Sequence, residues 1–140
     1  AECQSMTFLV PVEADDETTK KIERLFNLLG QTMTVDERAL PAGTALAGCG
    51  IAYVMRFVRA ATEGGVELGF KADVAKDIIL QTMKGAVALL QQTGLHPEAA
   101  IDKVTTPGGL TIRGLNTMEE NGFTHAVIAG LKASAAQDHQ

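Results

Sequence analysis

Cationic side chains are in short supply. Twelve Lys and Arg stand against seventeen Asp and Glu, a net charge of −5 over 140 residues, and the twelve are scattered along the chain. Gripping a phosphate backbone takes a concentrated basic face, so nucleic acid is excluded as an expected partner. Cysteine is scarcer still. Cys3 and Cys49 stand alone, in no C-x-x-C or Cys/His spacing, which excludes a disulfide scaffold and a zinc site and points to a reducing cytoplasm. Long apolar runs are also lacking: the longest, residues 39–55, is interrupted by Pro41, Gly43, Thr44, Gly48 and Gly50, so no membrane span is expected. The start, AECQSMTF, offers no initiator Met and no charged leader before an apolar run, and reads as the middle of a longer chain. There is no internal repeat and no low-complexity segment.

What is present is core-forming material. Hydrophobic residues make up 46% and charged residues 21%, a balance that folds rather than staying disordered. Residues 6–13, MTFLVPVE, read as a strand. DDETTKKIERLFNLLG follows with acids first, Ile22, Leu25, Phe26 and Leu29 at helical spacing, and Gly30 as its stop. QTMTVDE is the next strand. Strand, helix, strand is the unit of parallel α/β sheets, yet two strands do not hold a sheet by themselves. Residues 1–38 therefore read as the tail of an α/β domain.

Beyond Leu40 the pattern turns helical. A helix is expected over residues 43–63, with small residues first (Ala45, Ala47, Gly48, Cys49, Gly50, Ala52) and large apolar ones after. Another spans residues 72–93, with Val74, Ile78, Leu80, Met83, Val87 and Leu89 around most of its circumference and Gly85 and Ala86 leaving room for close packing. Helices apolar nearly all round need cover nearly all round. Short helices at 97–103, 110–121 (stopped by Gly122) and 123–136 cannot supply it, so a second copy of the chain is expected.

Two motifs deserve comparison. GCGIAY, residues 48–53, opens like the dinucleotide fingerprint but carries Tyr53 where the last glycine belongs and follows no strand; glycines permitting tight helix packing are the simpler reading. TTPGGLTIRGL, residues 105–115, is more informative. Pro107 stops the preceding element, Gly108 and Gly109 open unusual backbone angles, and the next amides head a helix. Such a turn is either an anion cradle lined by the hydroxyls of Thr105, Thr106 and Thr111 or an ordinary cap with Thr106 or a neighbour as N-cap. His96, before Pro97, reads as a cap or a surface residue rather than a base. His125 and His139 read as solvated, as do Glu119 and Glu120, and the acids of residues 13–17 complement their own helix. No nucleophile and base pair and no metal cluster stands out.

VTTPGGLTIRGLNTMEENGF, residues 104–123, closely resembles the C-terminal signature of the pyrroline-5-carboxylate reductase family. LFNLLGQTMTVDE, TALAGCGIAYV, GVELGF, QTMKGAVALL and HPEAAIDKV resemble further family landmarks in the same order, so the likeness covers nearly the whole chain. It implies a mainly α fold: a helical dimerisation domain like the C-terminal domain of 6-phosphogluconate dehydrogenase over residues 39–140, preceded by the remnant of a Rossmann domain over residues 1–38. It implies a homodimer, able to assemble further, that reduces 1-pyrroline-5-carboxylate to L-proline with NADP or NAD as cofactor. The cofactor's phosphate loop is missing from this sequence, so this stretch alone is expected to be inactive. By resemblance Thr105, Thr106, Pro107, Gly108, Gly109, Leu110 and Thr111 hold the substrate, with Thr111 on the ring nitrogen, and Gly48, Cys49 and Gly50 lie towards the cofactor. The family's usual Ser-Gly-Ser-Gly-Pro-Ala-Tyr reads AGCGIAY here. Ala47 and Cys49 lack hydroxyls and Ile51 replaces proline, leaving open a reductase of a related cyclic imine. A non-catalytic helical dimerisation module is the other alternative.

Overall fold

The computed structural model describes residues 3–135. The fold is mainly helical. Strand β1 (Ser5–Leu9), helix α1 (Asp16–Phe26) and strand β2 (Gly30–Thr34) come first. β1 and β2 pair in parallel, with Ser5 opposite Gly30 and Leu9 opposite Thr34. β1 is shorter than its apolar run because Pro11 has no amide to add to a ladder and Glu13 turns the chain with φ 56°. Gly30 does not stop α1 as its position suggested. The helix ends at Phe26, and Gly30 opens β2, where a Cβ would collide with the Ser5 backbone. Glycine is needed there for close approach of the two strands.

From Glu37 the chain stays helical to Glu67. A 3-10 turn (Glu37–Ala39) leads into α2 (Leu40–Gly43), a π-helical segment (Thr44–Cys49) and α3 (Gly50–Glu67). The residues that interrupt the apolar run do not interrupt the helix. Pro41 lies in the first turn of α2, where its missing amide hydrogen costs nothing because that donor has no helical partner. By length and composition alone the stretch is apolar enough to cross a membrane, a test that core helices of soluble proteins also pass.

α3 and α4 (Ala72–Thr93) are joined by a tight turn. The Phe70 amide donates to the Gly65 carbonyl at 3.0 Å and the Gly69 amide to Val66 at 2.9 Å, with Gly69 at φ 101°. That pair of bonds satisfies the last carbonyls of α3 and requires a residue free to take positive φ. The helices then meet closely: a Cβ on Gly65 would lie 2.8 Å from that of Ala75. α4 keeps its expected bounds and stops at Gly94, at φ 62°. α5 (Pro97–Val104), α6 (Leu110–Glu120) and α7 (Phe123–Ala135) complete the chain. Phe57 of α3 and Phe123 of α7 stack edge to face at 6.4 Å.

The contacts divide the chain into two compact units, one running to Ile51 and resuming at Ala129, the other Ala52–Ile128. In the first, Phe8 of β1 lies against Gly43, where an added Cβ would approach its ring to 3.0 Å. Among the described residues, neither unit buries a large side chain. The buried apolar residues are Ala45, Ala75 and Ala100, whereas Ile51, Val54 and Met55 of α3 and Val74, Ile78, Leu80 and Val87 of α4 are exposed. Leaving a Val, Leu or Ile in water forgoes about 1.5–3 kcal/mol each. The close packing expected at Gly85 is not made among the described residues, since none of them comes within 4 Å of where its Cβ would be.

Candidate functional site

α5 begins at Pro97 with His96 as N-cap; His96 Nδ1 accepts from the Glu98 amide at 3.3 Å. Of the two roles expected for it, cap or surface residue, it takes both: it caps α5 and is exposed. The helix ends on Thr105, in extended conformation. The Thr105 hydroxyl donates to the carbonyls of Ile101 at 3.1 Å and Asp102 at 3.2 Å. Its hydrogen therefore closes α5, and only its lone pairs remain for a ligand.

Thr106, Pro107, Gly108 and Gly109 then form a hydrogen-bonded turn, the Gly109 amide donating to the Thr106 carbonyl at 2.9 Å. Gly108 has φ 68°, so proline sets the second position and glycine takes the third, as a type II turn requires. Gly109 must also be glycine: a Cβ would sit 2.5 Å from Thr106 Oγ1 and 2.9 Å from the Thr106 carbonyl oxygen. Gly109 is the N-cap of α6 and has no side chain to offer the helix, and no acidic residue stands in the first turn. Of the N-caps expected for an ordinary capped turn, Thr106 or a neighbour, it is the neighbour Gly109 that takes the position, without a side-chain hydrogen bond. The amides of Leu110, Thr111 and Ile112 head the helix with no side chain capping them. Amides in that position, backed by the helix dipole, attract an anion.

The hydroxyls of Thr106 and Thr111 are both exposed and make no hydrogen bond among the described residues. Leu110, between them, is 85% exposed. The structure thus brings Thr106 through Thr111 together around one uncapped helix end. Arg113, two residues on, is a group that motif reading passed over. It is exposed and has no carboxylate partner among the described residues, and the signal that could have found it was a cation in a helix start where acids are usual.

Gly48, Cys49 and Gly50 belong to the other of the two units, the one that includes Ile51 and resumes at Ala129. Gly48 and Cys49 close the π-helical segment and Gly50 opens α3. Among the described residues neither glycine is tightly packed: a Cβ on Gly48 or Gly50 would meet its nearest neighbour at an ordinary 3.6 Å. π segments are rare and recur at functional sites, and apolar periodicity gave no signal of this one. A shallow hollow lies at the carboxyl ends of β1 and β2, lined by Val10, Pro11, Thr34, Val35, Asp36 and Glu37. Ligands of α/β sheets bind at such ends, but two carboxylates and no cation repel phosphate. Among the described residues no group of three His, Cys, Asp or Glu could hold a metal. His125 is exposed on α7; His139 lies outside the described residues.

Comparison with known proteins decides what this geometry belongs to. Residues 37–140 match the family model described as pyrroline-5-carboxylate reductase dimerisation. The chain belongs to the pyrroline-5-carboxylate reductase family. It is 45% identical over 122 residues to pyrroline-5-carboxylate reductase 2 of Dictyostelium discoideum, covering 87% of this chain and 41% of that protein. A Bacillus subtilis reductase is 37% identical, with 91% and 46% covered. Among solved structures, a Streptococcus pyogenes 1-pyrroline-5-carboxylate reductase superposes with TM-score 0.90 at 30% identity, covering 95% of this chain and 52% of that one. A Plasmodium falciparum reductase solved with NADP bound superposes with TM-score 0.84 at 27% identity, covering 91% and 50%. The chain therefore spans about half the length of the relatives it matches. The mainly helical architecture and the dimerisation-domain assignment agree with the family's fold.

Proposed function

We propose that this chain is the dimerisation and substrate-binding part of an NAD(P)H-dependent reductase that converts 1-pyrroline-5-carboxylate to L-proline. Residues 39–140 are read as the helical domain and residues 1–38 as the end of a Rossmann domain. The observation that carries the reading is the uncapped start of α6 inside the family's signature segment. The substrate is a small ring with an imine nitrogen and a carboxylate. The Leu110, Thr111 and Ile112 amides take the carboxylate, and the Thr111 hydroxyl bonds the ring nitrogen. A threonine hydroxyl is too weak an acid to drive protonation alone, so Thr111 orients the ring and relays a proton, while positioning supplies most of the rate.

The reduced nicotinamide would supply the hydride. The described residues do not fit the rest of that cofactor: β1 leads into Val10–Pro11 and β2 into Val35–Asp36 with no glycine-rich turn, and the hollow beyond both strands is acidic. Gly48, Cys49 and Gly50 are at most neighbours of its reactive end. The exposed apolar faces of α3 and α4 support a homodimer. The cytoplasm is the proposed location, in keeping with Cys3 and Cys49, which are both free.

The replacement of two hydroxyls and a proline at Ala47, Cys49 and Ile51 favours a second reading, a reductase of a related cyclic imine. One experiment separates these from a non-catalytic module. The protein as its gene encodes it is incubated with NADPH or NADH and either 1-pyrroline-5-carboxylate or other cyclic imines, and loss of reduced nicotinamide is followed. Turnover of the carboxylated pyrroline supports the proposal, turnover of another imine alone supports the second reading, and no turnover supports the module.

A further inference from the structure

We propose that Asn121 is a site of spontaneous covalent modification, a carboxamide that converts to aspartate and isoaspartate when the end of α6 opens and that the native helix end holds closed. The chain has three asparagines, Asn27, Asn116 and Asn121, and Asn121 is the one followed by glycine. Glycine matters because no Cβ stands beside its nitrogen to hinder approach to the preceding carboxamide. In the reaction the Gly122 backbone nitrogen gives up its proton and attacks Asn121 Cγ. The N–Cγ bond forms, the Cγ–Nδ2 bond breaks, and the leaving nitrogen takes up a proton and departs as ammonia. Water then opens the resulting succinimide at either of its carbonyls, giving aspartate or β-linked isoaspartate. Nothing is oxidised or reduced, and water is the co-reactant.

The native helix end engages both reacting groups elsewhere. The Gly122 amide donates to the Glu119 carbonyl at 2.9 Å, so the proton that must leave is held in a hydrogen bond. Asn121 Nδ2 donates to the Thr117 carbonyl at 2.8 Å, which keeps the carboxamide on the preceding turn. Asn121 is nevertheless exposed and ends its helix, where fraying concentrates. One opening frees both groups. The products do not restore the closure. Aspartate at this position has no donor for the Thr117 carbonyl and adds charge at the negative end of the helix, beside Glu119 and Glu120. Isoaspartate also adds a carbon to the main chain just before Gly122. That residue joins two helices: its amide closes α6, and its carbonyl accepts from the Ala126 amide at 2.9 Å at the start of α7. Phe123, next in the chain, rests on Phe57, so an added backbone atom disturbs the corner and the contact behind it.

The test holds the protein as its gene encodes it in mildly alkaline buffer, native and in denaturing urea, and follows digests by mass for conversion of asparagine to aspartate or isoaspartate. Asn121 is expected to convert at least about tenfold faster in urea than in the native protein, with Asn27 and Asn116 behind it in urea. Thr117→Gly weakens the last turns of α6 and leaves the Asn-Gly pair intact; it should raise the native rate and leave the rate in urea unchanged. Aged native protein should unfold at a lower temperature than fresh protein, and Asn121→Gln, whose longer side chain closes a less favourable ring, should age without that drop. Equal rates in the two states, or a native rate that Thr117→Gly does not move, overturn the claim that the helix end holds the site closed. Absence of conversion at Asn121 in urea overturns the site itself. A converted protein with an unshifted midpoint overturns its effect on the corner.

Discussion

Helices α1 and α6 are each eleven residues long and begin after a non-helical residue, and they treat their first amides in opposite ways. At α1 the Asp15 carboxylate accepts from the Thr18 amide at 2.7 Å, and Asp16 and Glu17 add negative charge to the first turn. The hydrogen bond from Thr18 holds the Asp15 carboxyl below its ordinary value. At α6 the cap is a glycine, the first turn has no acid, and an arginine follows. The first helix answers its dipole from within, while the second leaves the same need unmet. An unmet need at a helix end is filled by water or by a ligand, and the family signature falls on the helix that leaves it open.

The comparison breaks most visibly at Gly109. Gly109→Ala drives a methyl into the Thr106 carbonyl and hydroxyl, so the turn must shift before α6 can start. Displacements of about 1 Å in a positioning element cost on the order of a hundredfold in rate. We expect kcat/KM for the reductase to fall by about that factor while its oligomeric state in light scattering is unchanged; a kinetically normal Gly109→Ala enzyme would remove the turn from the site. Thr111→Ala is milder, because the amides stay in place. Turnover should drop at least about tenfold, about 1.4 kcal/mol of transition-state stabilisation, again without loss of assembly. Both variants leave α1 untouched.

Much of this was legible beforehand. α4 was readable residue for residue because its apolar pattern, its start after Lys71 and its stop at Gly94 agree with one another. The parallel pairing of β1 and β2 followed from the strand, helix, strand order. What escaped the sequence was decided by non-local approach. Gly30 looked like a helix stop and proved to be the place where β2 meets Ser5, a fact about a neighbour twenty-five positions away in sequence. Gly48 and Gly50 looked like packing glycines, and the π segment whose end they flank gave no signal in the apolar pattern. At the site, the turn was visible in Pro107, Gly108 and Gly109, whereas the identity of the N-cap needed the backbone: it is Gly109, not Thr106.

Two neighbouring glycines in α3 separate packing from propensity. Gly65→Ala would put its methyl 2.8 Å from that of Ala75, forcing α3 from α4, and overpacking of this kind costs about 1–3 kcal/mol. Gly64, with nothing within 4 Å of an added Cβ, should gain about 0.5–1 kcal/mol as alanine, from lost freedom of the unfolded chain. Opposite shifts of the thermal midpoint would confirm the crossing point. A Gly64→Ala protein that dissociates to monomers would instead show that a partner occupies that space.

The smallest effect returns to α1. Its cap works only while Asp15 is ionised. Because the folded-state pKa lies below the unfolded one, the unfolded chain takes up the proton first as pH falls, and the stabilisation is present above the unfolded value and disappears through the folded one. Asp15→Ala should therefore lower the thermal midpoint slightly at neutral pH, with the gap to the parent closing in acid below the ordinary carboxylate range. Kinetics should be unaffected at every pH where the protein is folded, since nothing at α1 waits for a ligand. Loss of substrate affinity in Asp15→Ala would contradict the contrast, because it would place both helix ends in the service of the site.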